Sequence, residues 1–109
     1  MSVEMMRRVV ITGMGVVSPL GNGLAHNWQS LLDGKSGIDR IEGFEPSDLA
    51  CQIAGQVKQD SSYASLVLDD FIEPKEQRKL DKFIQFGIVA GIEAVEHSGW
   101  KPDDIQSRY

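Results

Sequence analysis

The first apolar segment of the chain is a run of β-branched residues from Val9 to Ile11. The run is too short for an isolated helix and too uniformly apolar for a half-exposed strand, so it predicts a strand buried at the centre of a sheet. Gly13 and Gly15 then allow the backbone to bend and pack closely, and Ser18-Pro19 ends the strand because proline has no amide to donate. A buried strand needs neighbouring strands and helices over both faces, so the pattern predicts a layered α/β fold.

A helical pattern follows, with Asn22 as the predicted N-cap and Gly34 as the predicted end. Glycine suits that end because it adopts the left-handed conformation at little cost. The apolar residues of this segment are spaced for one buried face that packs on the first strand, and they are Leu24, Trp28, Leu31 and Leu32.

Apolar and polar residues alternate from Cys51 to Val57, which is typical of an edge strand with one solvated face. The next segment, from Lys58 to Asp70, is largely polar, and Ser61-Ser62 is expected to be its most solvated point. We therefore expect a peripheral strand followed by a surface loop.

The longest helical pattern runs from about Pro74 to Ser98, with proline at the tolerated first position and Gly99 as the terminator. Gly87 and Gly91 lie within its apolar stripe. Each glycine costs up to about 1 kcal/mol relative to alanine in a helix, so this pair predicts a tight contact with a sheet or another helix. The whole stripe consists of Leu80, Phe83, Ile84, Gly87, Gly91, Ala94 and Val95.

Together these elements predict an α/β fold of which residues 1–109 form only a part. The length suits one ordinary domain, but one central strand and one long helix are too little to enclose a buried sheet. We therefore expect an incomplete domain.

Composition excludes several classes of protein. The net charge is −5, from 11 basic and 16 acidic residues, which is opposite to what a nucleic-acid-binding protein needs. No apolar run approaches the roughly 20 residues of a membrane span, and the first residues lack the apolar core of a secretory signal. The single cysteine, Cys51, has no internal disulfide partner and fits a reducing compartment. These features predict a cytoplasmic protein without nucleic-acid or membrane partners.

Two glycine-containing segments superficially resemble nucleotide-binding loops. Gly13-x-Gly15 follows a predicted strand, but a dinucleotide-binding loop needs a third glycine where Ser18 stands and a helix opening there, whereas Pro19 follows. GKSG, from Gly34 to Gly37, follows a helix instead of a strand and has Gln29 where a phosphate loop needs glycine. Both segments are therefore interpreted as structural, and no cofactor is expected.

Neither the cysteine nor the histidines form a recognisable catalytic or metal-binding pattern. Cys51 opens a predicted strand without a cationic neighbour, so we expect it to be buried and to pack instead of reacting. His26 and His97 lack carboxylate or cysteine neighbours at metal-ligand spacing, and His97 suits the carboxyl end of its helix. The sequence predicts no metal site and no catalytic residue.

Four cations recur at positions i, i+3, i+4 and i+7 of the long helical pattern, and they are Lys75, Arg78, Lys79 and Lys82. This spacing places them on one side of a helix. One interpretation is a solvated face that Glu73, Glu76 and Asp81 neutralise, and the spacing alone favours it. The other interpretation is a docking site for an acidic partner.

Several blocks of the chain resemble the β-ketoacyl-acyl carrier protein synthases that elongate fatty acids. The blocks are VVITGMGVVSPLGNG, Trp28 with Leu31-Leu32, GKSGI at Gly34 to Ile38, Phe44, and KEQRKLDKFIQFGIVAG from Lys75 to Gly91. Together they cover nearly all of the chain from Arg7 to Gly99.

The resemblance implies a thiolase-like α/β/α fold, with this chain as the N-terminal portion of its first half. Such enzymes transfer an acyl chain from a carrier thioester to a cysteine and then condense it with decarboxylated malonyl-acyl carrier protein, while two histidines stabilise the oxyanion. Those catalytic residues are expected farther along than residue 109. The residues matching Lys75, Arg78 and Lys79 receive the acidic acyl carrier protein, and the enzyme is expected to be a cytoplasmic homodimer.

Three alternatives stay open at this point. A non-catalytic relative, such as a chain-length-factor-like subunit, keeps the fold and loses the nucleophile. A polyketide ketosynthase is the second alternative. A dinucleotide-binding α/β domain fits less well, because its glycine motif is incomplete.

Overall fold

The computed structural model of the protein describes residues 6–59 and 65–101. Helices and two small antiparallel sheets share the chain, which confirms a mixed α/β composition. In chain order the elements are β1 (Val17–Ser18), β2 (Gly21–Asn22), α1 (Leu24–Leu32), β3 (Ile38–Arg40), β4 (Ile53–Gly55), a 3-10 turn (Leu68–Asp70), α2 (Pro74–Gln77) and α3 (Lys82–Ser98).

The run from Val9 to Ile11 does not form the predicted central strand. Its side chains are exposed, at 94% for Val9 and 82% for Ile11, and the segment belongs to neither sheet. A strand is stable only when neighbouring backbones take its hydrogen bonds, and the described residues supply no neighbour for this one. The prediction that Val9 to Ile11 is a buried central strand is therefore wrong in this structure.

The first sheet is a tight hairpin in which Val17 pairs with Asn22 and Ser18 pairs with Gly21. The two residues of the turn are Pro19 and Leu20, so proline occupies a place where no ladder amide is required. Asn22 therefore lies in β2, and the prediction that it is the N-cap of α1 is wrong. Gly23 holds the N-cap position at a φ of 96°, which a residue with a Cβ rarely adopts.

Helix α1 has the predicted extent but turns a different face inward. Asn27 and Ser30 are its buried residues, whereas Trp28 is 61% exposed and Leu31 and Leu32 are similarly exposed. Asn27 holds this orientation because its side-chain amide donates to the carbonyls of Gly21 and Gly23, at 2.9 and 2.8 Å. The carboxylamide oxygen of Asn27 also accepts the Ser18 hydroxyl.

Helix α1 ends as predicted. Gly34 has a φ of 69°, in the left-handed region, and its amide donates to the carbonyl of Leu31 at 3.1 Å. The boundary was predictable because it depends on the conformational freedom of one residue.

The second sheet pairs β3 with β4 in antiparallel register, with Asp39 opposite Ala54. The edge strand predicted between Cys51 and Val57 is therefore present. Its predicted inward face is wrong, since Ile53 is 57% exposed and Cys51 is also exposed. The alternating pattern identifies two faces, but it does not state which face another element covers.

The core is small and lies beside α3. Its buried residues are Leu66, Ile72 and Val89. Leu66 is only 1% exposed although it belongs to the segment predicted as a surface loop, so that prediction is wrong at this residue. Ser61-Ser62 lies outside the described residues. The partly buried apolar residues that pack against the core are Val17, Val57, Leu68, Phe71, Leu80, Phe86 and Ile88.

The single helix predicted from Pro74 to Ser98 is two helices. Asp81, with φ −67° and ψ 158°, is extended and separates α2 from α3. The Gln85 side chain donates across this break to the carbonyls of Gln77 at 3.0 Å and Leu80 at 3.3 Å, and the Gln77 carbonyl also accepts the Leu80 amide. Gly99 ends α3 in the left-handed conformation, as predicted.

The apolar stripe predicted for this helix is only partly covered. Gln85 and Val89 are the buried residues of α3, while Phe83 is 72% exposed and Val95 is also exposed. A Cβ added at Gly87 or Gly91 would meet nothing within 4 Å, so the tight contact predicted at these glycines is not found among the described residues.

The tight contact on α3 is made by other glycines. A Cβ built on Gly13 would lie 2.3 Å from the carbonyl oxygen of Ala94, and one built on Gly15 would lie 1.9 Å from that of Ala90. The predicted close packing at Gly13 and Gly15 is thereby confirmed, and it brings the segment before β1 directly against α3.

Candidate functional site

The four cations of the sequence pattern lie where α2 passes into α3, and we call them the cationic turn. Lys75 belongs to α2, Arg78 is its C-cap, Lys79 follows, and Lys82 is the first residue of α3. The helical spacing from Lys75 to Lys82 is wrong, because the extended Asp81 interrupts the helix between them. All four residues are nevertheless exposed.

The backbone of the cationic turn is held by amide side chains. Gln77 donates from its side chain to a carboxylate oxygen of Asp69 and to the carbonyl of Ile72, both at 2.8 Å. Gln85, which is buried, holds the turn from α3. Leu80 packs on the core from within the same turn. These contacts fix the backbone, so the cations extend from a supported turn.

Neither Gln77 nor Gln85 was among the residues predicted from the sequence. One signal was available for Gln85, because it is a polar residue within the apolar run from Phe83 to Ile88. A polar side chain at such a position is usually buried only when it is hydrogen-bonded.

The predicted neutralisation of the cationic turn is only partly present. Lys79 forms an ion pair with Glu76 at 3.6 Å, and both side chains are more than half exposed. Exposed pairs of this kind contribute about 0–1 kcal/mol, so the pair removes little of the local field. Among residues 6–59 and 65–101, neither Glu73 nor Asp81 forms an ion pair with the turn.

A second arrangement that the sequence analysis missed centres on Glu93 of α3. One carboxylate oxygen accepts the amide of Val16 at 2.9 Å, and the other accepts the amide of Leu24, the first residue of α1, at 2.8 Å. Helix α1 has no side-chain cap of its own. Glu93 therefore satisfies an amide at the positive end of α1 from a distant helix and links three parts of the fold.

Cys51 is exposed, which contradicts the prediction of a buried cysteine. Its thiol donates to the carbonyl of Ile53 at 3.4 Å, within its own strand segment. Cys51 lies two residues before β4, a strand of the two-stranded β3–β4 sheet. A nucleophilic thiol needs an adjacent activating group, and the hydrogen bond that Cys51 makes among the described residues is to this carbonyl.

The histidines lie apart from each other in different helices. His97 is in the last turn of α3, as predicted, and its Nδ1 accepts the amide of Met14 at 3.1 Å. His26 is half-buried in α1. Among the described residues no group of three or more acidic, histidine or cysteine side chains is placed to hold a metal ion. Within the same residues no helix has the length and apolar content needed to cross a bilayer.

The glycines before β1 pack directly against α3. The backbone of α3 already occupies the space beside Gly13 and Gly15, at distances that would exclude even a methyl group. These glycines therefore serve helix packing, which agrees with their interpretation as structural residues.

The chain as a whole, including the cationic turn, was compared with known protein families. The family model described as "Beta-ketoacyl synthase, N-terminal domain" matches residues 6–109. The chain belongs to the β-ketoacyl synthase family.

Similar curated proteins carry one name. A 3-oxoacyl-[acyl-carrier-protein] synthase 2 of Rhizobium meliloti is 46% identical over 94% of this chain and 25% of that protein. The proteins of the same name from Vibrio cholerae and Coxiella burnetii are 45% and 48% identical over 85% of this chain and 21% of each protein. The chain thus spans about a quarter of the length of the relatives it matches.

Proposed function

We propose that this chain is the N-terminal part of a condensing enzyme of fatty acid elongation, in which it forms part of a thiolase-like α/β/α domain. The family match over residues 6–109 supports the proposal, together with relatives named 3-oxoacyl-[acyl-carrier-protein] synthase 2. The enzyme would act in the cytoplasm as a homodimer, as the resemblance implies.

In the proposed reaction an active-site cysteine takes the acyl chain from a carrier thioester. Malonyl-acyl carrier protein then loses carbon dioxide, and the resulting carbanion attacks the acyl-enzyme while two histidines stabilise the oxyanion. We assign none of these groups to residues 1–109. We do not assign Cys51 as the nucleophile, since its exposed thiol donates a hydrogen bond to the carbonyl of Ile53 and a nucleophile needs an adjacent activating group.

The contribution proposed for this chain is docking of acyl carrier protein at Lys75, Arg78 and Lys79. The observation that carries this proposal is the exposure of all three cations on a supported turn, in a chain whose net charge is −5. Only the weak Glu76–Lys79 pair offsets them among the described ion pairs. Charges at an interface rim mainly raise the association rate with an oppositely charged partner.

The test is to replace Lys75, Arg78 and Lys79 with glutamate in the full-length enzyme. We expect the KM for acyl carrier protein substrates to rise about tenfold or more, because three favourable rim interactions become repulsive. A short acyl thioester without the carrier should keep its KM. Added salt should raise the KM of the wild-type enzyme for carrier substrates toward that of the variant, because salt screens the charges of the turn. The Debye length is only about 8 Å at physiological ionic strength.

A single reversal at Arg78 is best compared with one at Lys101, an exposed lysine outside the cationic turn. The Lys101 variant changes the net charge equally and should leave the KM for carrier substrates nearly unchanged. Equal losses with both kinds of substrate would show that the turn matters for folding. If the charge reversals impaired activity with neither kind of substrate, the docking site would lie elsewhere.

A separate measurement distinguishes a condensing enzyme from a non-catalytic relative. Incubating the full-length protein with an acyl-carrier thioester should add one acyl mass to a cysteine other than Cys51. An intact protein that never forms this adduct would support the chain-length-factor-like alternative. This outcome would leave the docking measurement interpretable, since binding can be followed without turnover.

A further inference from the structure

A cleft of about 640 Å³ lies between α1, the loop that follows it, and the sheet formed by β3 and β4. It is separate from the cationic turn, since none of Lys75, Arg78, Lys79 and Lys82 lines it. Its polar lining includes His26, Ser30, Lys35, Ser36, Asp39 and Lys58. The volume lies within the range of small-molecule sites, which is about 300–1,000 Å³.

The walls of the cleft are held together around Pro19. A Cβ added at Gly37 would lie 2.7 Å from the Cβ of Pro19, and one added at Gly55 would lie 3.1 Å from its Cγ. The loop after α1, the β1–β2 turn and β4 therefore meet at one proline. The amide of Lys35 also donates to the carbonyl of Ser30 at 3.0 Å, which ties the loop back to the helix.

The charge in the cleft is opposite to that of the chain. Two ammonium groups, of Lys35 and Lys58, line it together with one carboxylate, that of Asp39. The Lys58 ammonium lies 3.9 Å from that carboxylate, and both side chains are substantially exposed, so the attraction is weak. Ser36 accepts the amide of Ile38 with its Oγ, which leaves the hydroxyl proton available to donate.

We infer that this cleft binds a small phosphate monoester with an apolar body. Lys35, Lys58 and Ser36 would donate to the phosphate oxygens, because ammonium and hydroxyl groups satisfy them through charge-assisted hydrogen bonds. Pro19, Leu20 and Ala25 line the same cleft and would contact the apolar body. The inference does not depend on the docking of a carrier protein, since it uses no residue of the cationic turn.

The experiment titrates the full-length protein by calorimetry at low salt with inorganic phosphate, phenyl phosphate and neutral phenol. Phenyl phosphate should bind most tightly, since it alone contacts both the cations and the apolar wall. Lys35→Gln and Lys58→Gln should each weaken phenyl phosphate binding about threefold to fivefold. Asp39→Asn should strengthen it by a similar factor, because it removes the one carboxylate that opposes the anion.

Asp48→Asn is the matched control, since Asp48 is exposed and does not line the cleft. It changes the net charge as Asp39→Asn does and should leave binding unchanged. The inference is overturned if no phosphate probe binds saturably, if Asp48→Asn strengthens binding as much as Asp39→Asn, or if phenol binds as well as phenyl phosphate. Lys35 and Asp39 are both exposed, so their variants keep the test valid even if Lys58→Gln fails to fold.

Discussion

Replacing Glu93 with alanine is expected to detach α3 from the amino-terminal end of α1. In the native structure its carboxylate accepts two backbone amides, from Val16 at 2.9 Å and from Leu24 at 2.8 Å. Both hydrogen bonds are partly buried. Alanine would leave both amides without their acceptor and α1 without a cap.

The expected loss of stability follows from these two bonds. A hydrogen bond to a charged group contributes about 1.5–3 kcal/mol, and partial exposure places each of these near the lower end of that range. Glu93→Ala should therefore cost about 3 kcal/mol. Glu93→Gln keeps one acceptor oxygen but turns an amide group toward the second backbone donor, so it should cost about half as much or more.

Urea unfolding of the full-length protein measures the loss, as a lower midpoint at an unchanged m-value. Hydrogen exchange gives the local readout, since the amides of Val16 and Leu24 should exchange faster in both variants. Glu96→Gln is the matched control because Glu96 is an exposed glutamate on the same helix. If Glu93→Gln and Glu96→Gln unfold at the same urea concentration and show the same exchange, Glu93 does not cap α1.

Three further predictions concern single residues. Cys51→Ala in the full-length enzyme should leave turnover within a few-fold of wild type and the free energy of unfolding within about 0.5 kcal/mol, because the thiol is exposed. Mass spectrometry that shows loss of acylation in a folded variant would contradict this prediction. Gly15→Ala should lower the free energy of unfolding by about 3 kcal/mol or more, because the new Cβ would lie 1.9 Å from a carbonyl oxygen of α3. A Cβ at Gly87 would meet nothing within 4 Å, so Gly87→Ala should raise the free energy of unfolding by up to about 1 kcal/mol. Thermal unfolding measures both changes. The pKa of Glu45 lies below its usual 4.5, chiefly because the Ser47 hydroxyl donates to its carboxylate and also because Arg40 does. The ionised Glu45 carboxylate therefore stabilises the fold slightly at pH values above its usual pKa, and this effect is lost as the pH falls through the lowered pKa of the folded state. NMR titration should show that Ser47→Ala raises the pKa of Glu45 more than Arg40→Gln does. The reverse order would refute the assignment of Ser47 as the chief cause.

Some features of this protein depend on local chemistry, and the sequence was enough to predict them. Gly34 and Gly99 end their helices because each adopts a conformation that other residues avoid, and this property needs no knowledge of the rest of the fold. Pro74 begins α2 for a similarly local reason. The family was also recognisable, because its blocks are contiguous in the sequence and span nearly the whole chain.

The candidate docking residues were predictable only in part. Charge and order along the chain singled out Lys75, Arg78 and Lys79, and all three are exposed, but their docking role stays a prediction. The helical continuity assumed for them was wrong, because α2 ends at Gln77 and α3 begins only at Lys82. The side chain of Gln85 in α3 bridges this break, because it donates hydrogen bonds to the carbonyls of Gln77 and Leu80.

The tertiary structure alone decided which faces are buried. Periodicity shows that α1 and α3 each have an apolar stripe, but burial depends on what packs against the stripe. Asn27 turns α1 toward the β1–β2 hairpin through its hydrogen bonds, and Glu93 joins α3 to two segments about 70 residues away in sequence. Val9 to Ile11 has the composition of a buried strand but lies exposed, because a strand also needs neighbours that composition cannot supply.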